Sequence, residues 1–147
     1  MTSSLHDALL SHLRNRPRLS VVLVQEALGI SLPHCTEVRM ESAEFRFPSK
    51  HDKDLVVLLD RGKPVLGIVV EVQLTVDEEK WFSWPMYAVT VRARLDCPTA
   101  MLVVAPDEQV AQWAASPIDL GDGNRFTPWV LGPSVVRQIL GPAAVLQ

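Results

Sequence analysis

Two apolar, β-branched runs lie either side of a short glycine turn. Residues 54–60 read Asp-Leu-Val-Val-Leu-Leu-Asp, residues 64–74 read Pro-Val-Leu-Gly-Ile-Val-Val-Glu-Val-Gln-Leu, and Arg61-Gly62-Lys63 joins them. Such runs favour strands, and a connector of that length closes a hairpin. Neither run alternates polar with apolar residues, so both faces of the hairpin require cover and it belongs at the centre of a sheet. The expected architecture is therefore α/β: a central mixed sheet built on this hairpin, flanked by helices on both faces.

The flanking sequence supplies that cover. Leu5, Ala8, Leu9 and Leu13 recur at helical spacing behind the cap candidates Ser3 and Ser4, which predicts a helix over 5–13 stopped by Pro17. A second helix is predicted over 19–28, with Ser20 as cap and Gly29 as terminator. Residues 36–47 alternate in part (Val38, Met40, Ala43, Phe45, Phe47) and predict a half-buried strand. A long helix over 77–95 carries Asp77, Glu78 and Glu79 at its start and Arg92 and Arg94 at its end, matching the helix dipole. Pro85 within it predicts a kink or a split into two pieces. Residues 99–105 read as a buried strand reached by a crossover, hence parallel to its predecessor. A helix over 107–115, a short strand over 127–131 and a closing helix over 133–140 complete the chain. This is one domain over 1–147: a helical N-terminal region over 1–35, a core over 36–105 and a C-terminal region over 106–147.

Composition limits the function. With 48% hydrophobic and 21% charged residues the 147-residue chain can bury a core and is not a disordered segment. A formal charge of -3 rules out a general basic surface, so any phosphate contact must come from local clusters. Cys35 and Cys97 have neither metal nor disulfide-framework spacing and read as reduced core thiols. No apolar run approaches the ~18 residues of a membrane span, and the N-terminus lacks a cleavage pattern, so a cytoplasmic protein with no membrane partner is expected. Nucleotide-binding glycine motifs and a Gly-flanked nucleophile are absent from the sequence. Trp81, Trp84 and Tyr87, spaced three apart, read as packing against the sheet.

The anomaly is Glu71, an ionisable carboxylate inside a strand whose two faces should both be buried. A buried carboxylate needs a compensating charge or metal. Side-chain alternation puts Glu71 and Gln73 on one face, and a turn centred between Gly62 and Lys63 sets Asp54 opposite Glu71. Two carboxylates that close repel unless a cation lies between them, and Mg²⁺, which takes oxygen ligands, suits the position. The competing account is neutralisation of Glu71 by Arg39 or Lys53.

Asp54, then Glu71-Val72-Gln73 on the second strand of a hairpin, then a helix and a further strand, resemble the core of the PD-(D/E)XK nuclease superfamily in its D…ExQ form. The likeness spans residues 36–105 and extends to bacterial transposase-related and recombination-promoting nucleases, whose following helix bears an aromatic and arginines, here Trp81, Tyr87, Arg92 and Arg94. It implies a restriction-endonuclease-like fold and metal-dependent hydrolysis of DNA with Mg²⁺ or Mn²⁺. It also implies Asp54, Glu71 and the Val72 carbonyl as metal ligands, Gln73 at the usual lysine position, and an acid from the leading helix, Glu26, with Glu41 and Glu44 as alternatives. Lys53 stands where the motif has proline. Gln73 can orient water but brings no positive charge. Either the metal carries that burden, or Lys80 or Arg92 substitutes, or activity has been lost. Lys50, His51, Lys53 and Arg61 would anchor flanking phosphates. Two other readings remain: a catalytically degenerate domain serving as a nucleic-acid- or protein-interaction module, and an oligomer, a homodimer in the simplest case, docked through the apolar segment 128–146.

Overall fold

A computed structural model describes residues 4–41 and 55–141. Five strands form one mixed sheet in the order β1-β2-β3-β4-β7, and β5 and β6 form a separate two-stranded ribbon. The strands are β1 (Glu37–Met40), β2 (Leu55–Asp60), β3 (Pro64–Val72), β4 (Thr99–Val104), β5 (Ile118–Gly121), β6 (Asn124–Phe126) and β7 (Trp129–Leu131). The helices are α1 (Ser4–Asn15), α2 (Pro17–Leu28), α3 (Lys80–Leu95), α4 (Glu108–Ala115) and α5 (Pro133–Leu140). The mixed sheet, the central hairpin and helices on both faces match the expectation from sequence.

The hairpin β2–β3 is antiparallel and runs in register from Leu55 opposite Val70 to Leu59 opposite Leu66, with a shift at Asp60. Every residue of β2 is buried. Alternation then divides the core. Leu66, Ile68, Val70 and Val72 point to one face with α1, α2 and α5, joined by Leu9, Leu13, Val24, Val136 and Ile139. Val69 points to the other with Val56, Met101 and Val103, under Trp84, Tyr87 and Val91 of α3. Each such buried aliphatic contributes roughly 1.5–3 kcal/mol. β4 runs parallel to β3, as a crossover through α3 requires, and β7 runs parallel to β4.

α3 packs tightly on β3 at Gly67. A Cβ added there would lie 3.2 Å from both Leu95 Cδ1 and Val91 Cγ1. The helix runs uninterrupted from Lys80 through Pro85, so the expected split does not occur. Pro85 lies in the second turn, where its missing N–H forfeits a single bond to the Trp81 carbonyl. The helix starts three residues later than expected, with Asp77 outside it accepting from the Glu79 N–H at 3.1 Å.

Other departures have local causes. Ser20 does not cap α2, which begins at Pro17; proline is pre-set for a first helical position, and Ser20 is buried inside the helix. Gly29 does terminate α2 in the left-handed conformation. The inner face of α1 is Leu9, Leu10 and Leu13, with Leu5 at the surface. The strand expected over 36–47 is observed over Glu37–Met40, and its remainder lies outside the described residues. The β5–β6 ribbon was not expected, although Gly121-Asp122-Gly123-Asn124 carries a hairpin signal. Asp122 and Gly123 take φ of 52° and 81°, the positive values a tight two-residue turn demands. Cys35 and Cys97 are both free thiols, Cys97 buried and Cys35 half-buried.

Candidate functional site

Glu71 lies near the C-terminal end of β3 and projects to the α3 face of the sheet. Lys80 is the first residue of α3 and Trp84 follows one turn later, so both stand on the helix face turned to β3. Lys80 Nζ donates to Glu71 Oε1 at 2.6 Å, and the Trp84 indole N–H donates to Glu71 Oε2. The Lys80 and Glu71 side chains are each only 7% exposed. The carboxylate thus has a cation, an N–H donor and the positive end of a helix around it, which offsets its desolvation. Trp84 is fixed in turn by Trp113 of α4, at 5.4 Å between ring centroids, and Trp113 also meets Trp81 at 6.5 Å.

Gln73 is buried, two residues beyond Glu71 on the same side. Its backbone N–H continues the parallel ladder to the Val104 carbonyl at 2.9 Å, and its side-chain amide donates to the Thr75 carbonyl at 2.8 Å. The amide nitrogen is thereby committed, and the amide oxygen is the end turned away from that bond. Because Gly67 and Gln73 both direct their N–H groups to the β4 side, the backbone of Val72 faces the other side, toward β2. β2 begins there at Leu55 among the described residues. Asp54 lies outside the described residues, as do Glu44, Lys50, His51 and Lys53.

The remaining candidates are dispersed. Glu26 is exposed on α2, which packs on the opposite face of the sheet from Glu71. Glu41 follows β1, and its N–H bonds the Val56 carbonyl at 2.8 Å. Alternation puts it on the Glu71 face, two strands across and two residues back along β3, roughly 12 Å away in the plane of the sheet. Arg39 is not the counter-ion of Glu71. It pairs with Asp60 at 3.2 Å and with Glu37 at 3.5 Å. Arg61 occupies the hairpin turn, roughly 23 Å along β3 from Glu71 at strand rise, and cannot anchor phosphate beside it. Of the two proposed substitutes for the missing lysine, Lys80 reaches Glu71, whereas Arg92 is exposed about 18 Å further along the helix.

Glu71 retains acceptor capacity, since each carboxylate oxygen offers two lone pairs and one on each is taken. A carboxylate, a strand carbonyl and an amide oxygen are the hard donors that Mg²⁺ takes. Among the described residues, no group of three or more acidic, histidine or cysteine side chains could hold a metal by itself. No helix among the described residues is long and apolar enough to cross a membrane. Family models, curated proteins and solved structures contain no match to this chain.

Proposed function

We propose that the chain is a Mg²⁺-dependent nuclease of restriction-endonuclease-like fold that hydrolyses DNA phosphodiester bonds. Asp54 and Glu71 hold the ion, with the Val72 carbonyl as third ligand. The observation that carries the reading is the buried contact of Lys80 with Glu71, because it brings a cation to the place where Gln73 leaves one wanting. The hairpin register supports it too, since Leu55 opposite Val70 is the pairing from which Asp54 opposite Glu71 would continue.

In this reading each residue of the chain has a separate task. Gln73 orients the attacking water through its amide oxygen. Lys80 offsets the negative charge that builds on the phosphoryl oxygens, and Trp84 holds the Glu71 carboxylate in one orientation. Mg²⁺, when bound, supplies Lewis acidity toward water and phosphate. Glu41, on the Glu71 face, replaces Glu26 as the first choice for a supplementary acid.

The test is cleavage of DNA with Mg²⁺ or Mn²⁺, together with the shift in unfolding temperature each ion produces. Ligand binding to the folded state alone raises stability with ion concentration. Cleavage and the thermal shift should both vanish in Asp54→Ala. One observation favours a second reading, a catalytically degenerate interaction module: Lys80 already neutralises Glu71 without any metal. Absence of both cleavage and ion-dependent stabilisation in the wild type would establish that reading instead.

A further inference from the structure

The outward face of α3 is apolar in the middle and charged at its ends. Phe82, Met86 and Val89 are 82%, 42% and 60% exposed. With Ala93, also exposed, they fall within about 60° of arc on the helix. Leu120 of the β5–β6 ribbon, 52% exposed, extends the patch, and Trp81, Pro85 and Leu120 line a cavity of about 500 Å³ on its flank. Single exposed apolar residues are ordinary, but a contiguous stripe marks a contact surface.

The charges decide what the stripe would contact. Glu78 and Glu79 are exposed at the N-terminal end of α3 and Arg92 at its C-terminal end, and none of the three makes an ion pair among the described residues. A face acidic at one end, apolar in the middle and basic at the other complements itself when a second copy lies antiparallel. A two-fold axis beside Met86 sets Phe82 against the partner's Val89 and Arg92 against the partner's Glu78, and repeats both contacts by symmetry. Arg92 and Glu78 lie on the same flank of the helix and Glu79 on the other, and the two-fold brings like flanks together, so Glu78 is the acid that Arg92 meets.

We propose that this face of α3 is a homodimer interface between two copies of the chain, packed antiparallel with Phe82, Met86 and Val89 at its centre and Glu78–Arg92 pairs at its rim. This surface is distinct from the segment 128–146 expected from sequence to dock a subunit. The described residues of that segment turn Leu131, Val135, Val136 and Ile139 into the chain's own core.

Sedimentation equilibrium over a wide concentration range tests the proposal. The wild type should approach twice 16.3 kDa. Phe82→Glu should sediment as a monomer, and Val89→Lys gives the same reading at a second exposed site. Arg92→Glu and Glu78→Arg should each weaken association by about tenfold, since each sets like charges together twice per dimer. The double reversal Glu78→Arg with Arg92→Glu should restore it. A wild type that stays monomeric, a dimer that survives Phe82→Glu and Val89→Lys, or a charge reversal without rescue would each overturn it.

Discussion

Lys80 and Glu71 are nine residues apart and meet in the protein interior at 2.6 Å. The contact joins the end of a central strand to the start of the helix that crosses over it. A buried pair of this kind is costly to break and cheap to replace whole. Lys80→Met should therefore destabilise the protein by about 3–5 kcal/mol, because it leaves the Glu71 carboxyl group buried without its partner. Glu71→Met combined with Lys80→Met should cost clearly less than Lys80→Met alone. Urea unfolding of the three proteins measures both differences.

Trp84 contributes by packing and by its indole N–H. Trp84→Phe retains much of the ring and removes the donor to Glu71, so it should cost about 1.5–3 kcal/mol, the range for a hydrogen bond to a charged group. Trp84→Ala should cost more, about 3–5 kcal/mol, because it also empties the space beside Trp113. Similar losses for the two variants, by chemical denaturation, would mean that the donor matters more than the ring.

The Cys97 thiol introduces an alkaline limb to stability. Burial pushes its pKa above the ordinary 9.0, the Gly67 backbone lowers it, and the Asp96 carboxylate raises it. The folded protein thus holds the proton to higher pH than the unfolded chain does. The resulting stabilisation is complete below 9.0 and is lost as pH rises through the folded-state value. Cys97→Ala should flatten that limb of the profile in unfolding curves taken at successive pH values. In the wild type a thiol reagent should modify half-buried Cys35 before Cys97.

Gly67 should tolerate little. Val91 is fully buried and β-branched, so it cannot swing away from an added side chain. Gly67→Val should cost about 1–3 kcal/mol through overpacking, read as a lower urea midpoint with helix content retained.

The hairpin is legible in the sequence because its two strands are apolar and rich in valine and isoleucine and its turn is short. Those features dictate pairing and register locally, and Leu55 to Leu59 pair as the turn predicts. The start of α2 is not, because Pro17 serves equally as a stop for one helix and a first residue for the next. The β5–β6 ribbon escapes because its strands are mostly exposed and carry no apolar pattern, leaving Asp122-Gly123 as the sole cue. At the site, Glu71 stands out as a charge in an apolar strand. From sequence Lys80 is only one of two substitutes for a missing lysine, because beside Glu78 and Glu79 it resembles a solvated helix start. Its burial depends on where the crossover sets α3 down, and that is decided by contacts far from it in sequence. Glu26 looks plausible as an acid on a leading helix, but which face that helix covers is a property of the whole sheet.

The close approach at Gly67 gives α3 the character of a lever. At one end the helix rests its Val91 and Leu95 side chains directly on the bare strand backbone of Gly67, and at the other a lysine and an indole are wedged above Glu71. The fulcrum sets the clearance at the far end. A change in packing under Leu95 would tilt the whole rod and alter the headroom over the carboxylate without touching any residue that contacts it.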